Sequence, residues 1–249
     1  MSKSVTVILN GYKRNHLKEQ VNAIKNQSVP VEEIFYWQNT CPGFSYDEET
    51  YSELNSALSN YNYGVWSRFA YALNARTDYV IVIDDDTIPG SRYIENCINT
   101  HETHPGLLVG IGLWMKNKNY DLKWISDTEV AKFGWQVKNE RPVEVDFGGH
   151  SWFFARDLLS VFWRELPKRE WSLLCGEDMH FSAMLQKYTD LKTWVPPHPE
   201  NDPTMWSSLK ALEYGCDHLA TANINCQTGE MKRYLSFLVD NGFKLICEK

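Results

Sequence analysis

Three consecutive carboxylates, Asp84, Asp85 and Asp86, follow directly on the apolar run Val80-Ile81-Val82-Ile83. Adjacent carboxylates repel and raise one another's pKa values unless a cation sits among them. A divalent hard cation such as Mn2+ or Mg2+ suits them, held by one or two carboxylates together with phosphate oxygens of a substrate. The bland alternative is a solvated acidic turn. Placement weighs against it. A run apolar on both faces reads as a buried, parallel strand, and ligands of open α/β sheets bind outside the carboxyl ends of the strands. Thr87-Ile88-Pro89-Gly90 is turn chemistry, and Ser91 is placed to cap a helix beginning near Arg92.

A second acidic site, Gly176-Glu177-Asp178, precedes an amphipathic helix carrying Phe181, Met184, Leu185 and Tyr188. Carboxylates at a helix N-terminus are plain dipole partners. Across a cleft from a metal, one of them can instead serve as a general base or an electrostatic stabiliser. Other polar groups lie just after expected strands and so gather along one sheet edge: Asn10, Tyr12 and Arg14 after the first, Asn39 after the second. Such groups suit a nucleotide, with Tyr12 stacking on a base, Asn39 bonding its edge, and Arg14 or Arg68 facing phosphates. Singly, each is an ordinary surface residue; their common placement carries the inference. His198 in V-P-P-H-P and His218 in C-D-H-L are candidate further metal ligands. Trp206 can pack on a sugar or in the core. Gly148-Gly149-His150-Ser151 is a small-residue loop that allows close approach of a ligand, or merely a turn.

The elements that must position these groups follow from periodicity. Residues 5–9 (V-T-V-I-L) read as a strand, 16–27 as a helix with Leu17, Val21 and Ile24 on one face, and 33–37 as a second strand. This β-loop-α-β start implies a right-handed crossover and a parallel sheet. Weak helical character marks 51–58, and a helix over 64–76 feeds the Asp-ended strand. Beyond it the pattern predicts a helix over 92–103, strands over 107–114, 143–147, 192–195 and 243–246, and helices over 153–163, after 176, and over 231–239. Residues 115–142 carry no assignable pattern, and 198–228 read as loop.

Composition bounds the function classes. A chain of 249 residues suits one α/β domain, and a hydrophobic content of 43% supports a sizeable core. The net charge of −7, with no long basic run, weighs against nucleic acid as a partner. Ten Trp, thirteen Tyr and eleven Phe supply core and also platforms for sugar rings and bases. The polar start M-S-K-S is not a secretory signal, and no apolar run approaches the length needed to cross a bilayer. Six Cys without a C-x-x-C pair argue against structural zinc and lead to the expectation of reduced thiols in a cytoplasmic setting.

Taken in order, Tyr12 and Arg14 in the first-strand loop, Asn39, Arg68 one helix before a strand ending in D-x-D, and Glu177-Asp178 at a later helix start resemble a GT-A type glycosyltransferase. Asp84-Asp85-Asp86-Thr87, Ser151-Trp152-Phe153-Phe154 and Glu177-Asp178 are similar to exostosin-like (family 64) and family-2-like sugar transferases. The likeness runs from about residue 5 to about residue 195. It implies an α/β fold of GT-A (Rossmann-like) type, with a mixed, mostly parallel sheet flanked by helices. It also implies one domain over 1–249, with a nucleotide-binding half at about 1–115 and an acceptor-binding half at about 116–249. By the same resemblance, Asp84 and Asp85 lie on a nucleotide-sugar donor, with UDP the usual carrier. Asp86 binds Mn2+ or Mg2+, and Tyr12, Arg14, Asn39 and Arg68 contact the nucleotide. Asp178, with Glu177, lies at the reacting centre beside a glycan or other hydroxyl acceptor. Gly176-Glu177-Asp178 mixes features of inverting and retaining relatives, so both stereochemical outcomes stay open. Three rivals share parts of the pattern. A phosphatase with D-x-D-x-T would need Thr where Ile88 stands and fewer preceding strands. A nucleotidyltransferase would release pyrophosphate. A nucleotide- or sugar-binding module would turn nothing over.

Overall fold

The structure, a computed structural model, describes residues 3–117, 130–215 and 229–249. Its strands are β1 (Val5–Gly11), β2 (Glu33–Gln38), β3 (Asn55–Leu58), β4 (Tyr79–Ile83), β5 (Gly106–Met115), β6 (Val130–Gly134), β7 (Val143–Val145), β8 (Phe147–Ala155) and β9 (Lys192–Val195). They form one sheet in the order β3-β2-β1-β4-β8-β5-β9-β7, with β6 paired to the far end of β5. The pairs β1–β2, β2–β3, β1–β4 and β5–β9 are parallel. β8 runs antiparallel to both β4 and β5, which it separates.

The apolar run before the acidic trio behaves as its composition dictates. Every residue of β4 is buried. Alternate side chains point to opposite faces, so Val80 and Val82 join one core with Phe69, Trp152, Phe154, Phe162 and Phe181. Ile81 and Ile83 join the other with Val7, Leu9, Tyr93 and Phe153. Fully burying such an aliphatic side chain is worth about 1.5–3 kcal/mol, which fixes the strand's register and hence where its carboxyl end emerges. Helices α1 (Leu17–Lys25) and α4 (Tyr93–Thr103) cover this second face through Leu17, Val21, Ile24, Ile94 and Cys97. On the first face lie α5 (Leu159–Phe162), α6 (Glu177–Tyr188) and the final helix Glu230–Asp240.

Several elements differ from the periodicity reading. Residues 51–58 hold a short helix, α2 (Glu48–Ser52), and then the edge strand β3. The helix over 64–76 shrinks to α3 (Ser67–Tyr71) and one 3-10 turn, because Gly64 is left-handed (φ +71°) and the Val65 N–H donates to the Leu173 carbonyl at 2.9 Å. Residues 153–155 stay in β8, and only α5 is α-helical after them. No strand forms over 243–246. The Asp146 side chain accepts the Ile246 N–H at 2.7 Å and the Met115 N–H at 2.7 Å, replacing a ladder, and Ile246–Glu248 is a 3-10 turn. Ser91 does not cap α4, whose N-cap is Arg92. Cys41 and Cys97 are free thiols. Among the described residues, no helix is long and apolar enough to cross a membrane.

Candidate active site

The acidic trio begins where β4 stops. The Asp84 N–H donates to the His150 carbonyl at 2.9 Å, and the Thr87 N–H closes a turn onto the Asp84 carbonyl at 3.1 Å. Buried Gln20 of α1 donates its Nε2 to the carbonyls of Asp84 (2.6 Å) and Thr87 (3.1 Å), fixing the turn from below. Opposite, the β5–β8 ladder slips: Val109 faces Trp152, but Ile111 faces Gly149. His150 and Ser151 therefore stand against Gly110 alone, which is a β-bulge. Bulges re-aim side chains. His150 takes a left-handed φ of +66°, at a penalty of about 1–2 kcal/mol for a residue with a Cβ. Its Nδ1 lies 3.2 Å from Asp86 Oδ1, and its ring stacks on Trp135 at 4.5 Å and 17°.

Two arginines run through the carboxylates. Arg14, on the loop after β1, lies 3.0 Å from Asp85 and 3.5 Å from Asp86. Arg68, from α3, is buried over the Trp152 ring, with its guanidinium carbon 4.3 Å from the centroid. One terminal nitrogen of Arg68 bonds Asp84 and also Asn10 Oδ1 at 3.1 Å; the other bonds Glu177 at 2.6 Å. Glu177 comes near because the chain before α3 is docked on the chain before α6. Trp66 Nε1 donates to the Cys175 carbonyl at 3.1 Å, and Gly176 turns left-handed (φ +90°) under Tyr234. A Cβ at Gly176 would lie 2.9 Å from the Tyr234 ring, so only glycine fits that turn. Asp178 is half-buried in the first turn of α6, where its Oδ1 accepts the Met179 N–H at 2.7 Å.

Burial and charge act on these groups unequally. Burial pushes Asp84 up against the pull of Arg68, and pushes Asp85 up to about 6 against the pull of Arg14. Burial also acts upward on Asp86, but His150 and Arg14 outweigh it and hold that carboxyl down at about 2. The reciprocal attraction raises His150 despite its burial. Glu177 is raised by burial, and Asp178 is pushed up to about 8 by burial and by Glu177 beside it. Five carboxyl groups (Asp84, Asp85, Asp86, Glu177, Asp178), the last of them protonated near neutral pH, thus meet two guanidinium groups (Arg14, Arg68) and the His150 imidazole. The surplus is negative and sits at the carboxyl end of the parallel strands.

One oxygen each of Asp84 and Asp86 and one ring nitrogen of His150 lie within 4.8 Å of one another. Two carboxylate oxygens and an imidazole form a donor set that fits a divalent cation: the oxygen donors match Mn2+ or Mg2+, and the imidazole also admits a borderline ion such as Fe2+ or Zn2+. His150 was not a sequence candidate for this group, nor was Gln20 a candidate support. The glycine pair ahead of His150 was the only local sign of a bulge.

The structure does not bring every candidate to this centre. His198 is fully buried; its Nδ1 lies 2.8 Å from the Pro196 carbonyl and its Nε2 2.9 Å from Ser207 Oγ, so both nitrogens are committed to holding the chain after β9, and burial lowers its pKa to about 4. The imidazole that lies beside Asp84 and Asp86 is that of His150. Asn39 spends its amide on local chain: Oδ1 accepts from Trp37 Nε1 (3.0 Å) and the Tyr63 N–H (3.1 Å), and Nδ2 donates to the Gly64 carbonyl (3.0 Å). Arg68 faces carboxylates, where phosphates were expected. Tyr12 is half-buried beside Lys13, whose ammonium lies 4.9 Å from the ring centroid. Trp206 is half-buried, with Lys138 over its ring and its Nε1 on the Pro199 carbonyl at 2.7 Å. His218 lies outside the described residues.

No protein-family model matches the chain, and no curated protein matches it by sequence. Solved structures do match. The mannosyltransferase PcManGT from Pyrobaculum calidifontis, in complex with GDP-Man and Mn2+, is similar over 98% of this chain and 66% of its own, at 17% identity and a TM-score of 0.57. TarS of S. aureus is similar over 96% of this chain and 45% of its own, at 16% identity and a TM-score of 0.55. TarS 1-349 in complex with UDP-GlcNAc matches over 96% and 72%, at 15% identity and a TM-score of 0.51. The chain spans less than two thirds of the length of the first two. At such identities the likeness is one of fold: a mixed α/β, mostly parallel sheet flanked by helices, of the GT-A type.

Proposed function

We propose that this chain is a metal-dependent glycosyltransferase that moves a sugar from a nucleotide-sugar donor to a hydroxyl group of a glycan or other acceptor. The observation that carries the reading is the meeting of Asp84, Asp86 and His150 at the carboxyl end of the parallel strands, on a fold shared with a mannosyltransferase bound to GDP-Man and Mn2+. TarS bound to UDP-GlcNAc supports a nucleotide-sugar donor of the same general kind. Relation to the exostosin-like transferases rests on the sequence motifs alone.

In this reading Asp84, Asp86 and His150 would hold Mn2+ or Mg2+, and the ion would supply Lewis-acid stabilisation of the charge on a departing nucleoside diphosphate. Arg14, lying along Asp85 and Asp86, is within reach of donor phosphates and adds a charge-assisted contact. Tyr12 offers a ring face to the base. Asp178 takes the proton of the acceptor hydroxyl if the sugar is inverted. A carboxylate with a pKa near 8 is a far stronger base than an ordinary aspartate, and nearer to the working pH. If the sugar is retained, Asp178 orients the acceptor instead. Donor binding falls to the part of the chain up to about residue 115 and acceptor binding to the rest, with His150 crossing over to the donor side.

The test is a calorimetric titration of UDP, GDP and their sugar conjugates, with and without Mn2+. One nucleoside diphosphate should bind, and bind more tightly with the ion. Asp86→Asn should remove the ion-dependent part of that affinity while the fold stays intact. Nucleotide affinity that ignores both Mn2+ and Asp86→Asn would sink the proposal. Release of pyrophosphate, where a nucleoside diphosphate is expected, would turn it toward a nucleotidyltransferase.

A further inference from the structure

Among the described residues, Arg68 hydrogen-bonds both acidic segments, which lie far apart in sequence. The first terminal nitrogen is on Asp84, the second on Glu177, and these are the two ends of a single rigid, planar fork. The fork has little room to move. Trp152 lies under it, Phe69 lies beside it with the guanidinium carbon 5.7 Å from the ring centroid, and Asn10 holds the Asp84 end. The side chain is buried, and among the described residues its Nε has no hydrogen-bond partner. Asp84 is thus claimed from two sides: it accepts from Arg68, and one of its oxygens belongs to the three-atom group that fits a divalent cation.

We infer that Arg68 is a positioning residue that couples cation binding at Asp84, Asp86 and His150 to the anchoring of Glu177 at the start of α6. The inference rests on the cation reading given above. A cation drawing on Asp84 repels the guanidinium and competes for the same carboxylate. Glu177 is the counter-charge that keeps the guanidinium satisfied when Asp84 turns to the ion. Without Glu177, Arg68 keeps Asp84 for itself and cation affinity falls. Coupling is reciprocal, so a filled cation group tightens the Arg68–Glu177 contact and steadies the turn that carries Asp178. The site then holds its acceptor-side carboxylates most firmly when its donor side is loaded.

The test reads Mn2+ binding by the loss of the free-ion paramagnetic resonance signal, without donor, acceptor or turnover, in wild type, Glu177→Gln, Arg68→Lys, Arg68→Gln and the two double variants, each confirmed as folded by circular dichroism. Glu177→Gln alone should weaken Mn2+ binding by about five- to tenfold, at the lower end of ordinary coupling between sites. In the Arg68→Lys background the same change should have a clearly smaller effect, because an ammonium cannot bridge two carboxylates as a fork does. Arg68→Gln should remove the effect. An equal loss in all three backgrounds would reduce it to plain long-range attraction and overturn the coupling. Should both Arg68 variants fail to fold, Glu177→Asp decides, because it keeps the charge but shortens the reach to Arg68: a fall in affinity comparable with that of Glu177→Gln supports the inference, and wild-type affinity overturns it. Wild type that binds no Mn2+ would overturn the cation reading itself and the coupling with it. Binding in wild type that ignores Glu177→Gln would overturn only the coupling.

Discussion

Asp84 and His150 are joined through their backbones, the N–H of the first donating to the carbonyl of the second at 2.9 Å. The acidic turn and the bulge are therefore one hydrogen-bonded unit. The side chain of His150 is held against Asp86 by the same strand pairing that ends β4, and its left-handed backbone is the strain that this aim requires.

His150→Gly separates strain from chemistry. Relief of the left-handed φ should gain about 1–2 kcal/mol, and loss of the ring stack on Trp135 should forfeit about 0.5–1.5 kcal/mol. The two nearly cancel, but the hydrogen-bonded pair with buried Asp86 is lost as well, so urea unfolding should show a net loss of about 1–3 kcal/mol. Mn2+ affinity should also fall at least about tenfold, as one of three donors is gone. Unchanged Mn2+ affinity would remove His150 from the cation group.

Asp178→Asn should keep donor affinity and lower transfer by about a hundredfold or more, the usual share of a general base. It should also change how stability depends on pH. Asp178 is pushed up to about 8 by burial and by Glu177, so the folded chain holds a proton that the unfolded chain releases near pH 4. The stability this contributes is complete below about pH 4 and is lost as pH rises through about 8. In metal-free protein, the melting temperature of wild type should therefore drop more steeply than that of the variant between about pH 6 and about pH 9. Parallel curves would show that Asp178 is not raised.

Asn39→Ala removes a buried side chain that satisfies the Trp37 indole, the Tyr63 N–H and the Gly64 carbonyl. Leaving such groups unpaired costs about 1–3 kcal/mol each, and not additively. A loss of at least about 2 kcal/mol in urea unfolding is expected. A loss under about 0.5 kcal/mol would mean that this loop does not depend on Asn39.

Gly176→Ala forces a Cβ into a left-handed turn and to 2.9 Å from the Tyr234 ring. Strain of about 1–2 kcal/mol from the backbone alone, plus overpacking of about 1–3 kcal/mol, should lower the urea midpoint clearly. The turn that carries Glu177 and Asp178 should shift with it, so transfer should fall even at temperatures where the variant remains folded. A wild-type midpoint would contradict the packing described.

Much of this was legible in the sequence where the signal was local. A β-branched run followed by carboxylates marked β4 and its acidic turn, and periodicity marked β1, α1, β2, β5 and β9 within a few residues. The partners of those carboxylates were not legible. His150 is aimed by a two-against-one register between strands that are remote along the chain, and no residue type announces such a slip. Arg68 was picked out by its place before the acidic strand, but its contact with Glu177 spans 109 positions of sequence. Asn39 and His198 have residue types that suit ligands. Their hydrogen bonds go to neighbours, Tyr63 and Gly64 for one and Ser207 and Pro196 for the other, that only the folded chain supplies. The strand expected over 243–246 failed for a similar reason, since the Asp146 side chain takes the backbone group that a ladder would have used.

The position of β8 between β4 and β5 has a consequence for how the molecule is made. On a ribosome, both flanking strands emerge well before the one that must slot between them, so each waits with an open edge. Open edges invite pairing with other chains. A fragment ending at residue 115 would therefore expose two such edges and aggregate, however well its own crossover units form. Neither the part before residue 115 nor the part after it should fold when cut from the other, because β8 pairs with strands of the first part on both of its edges.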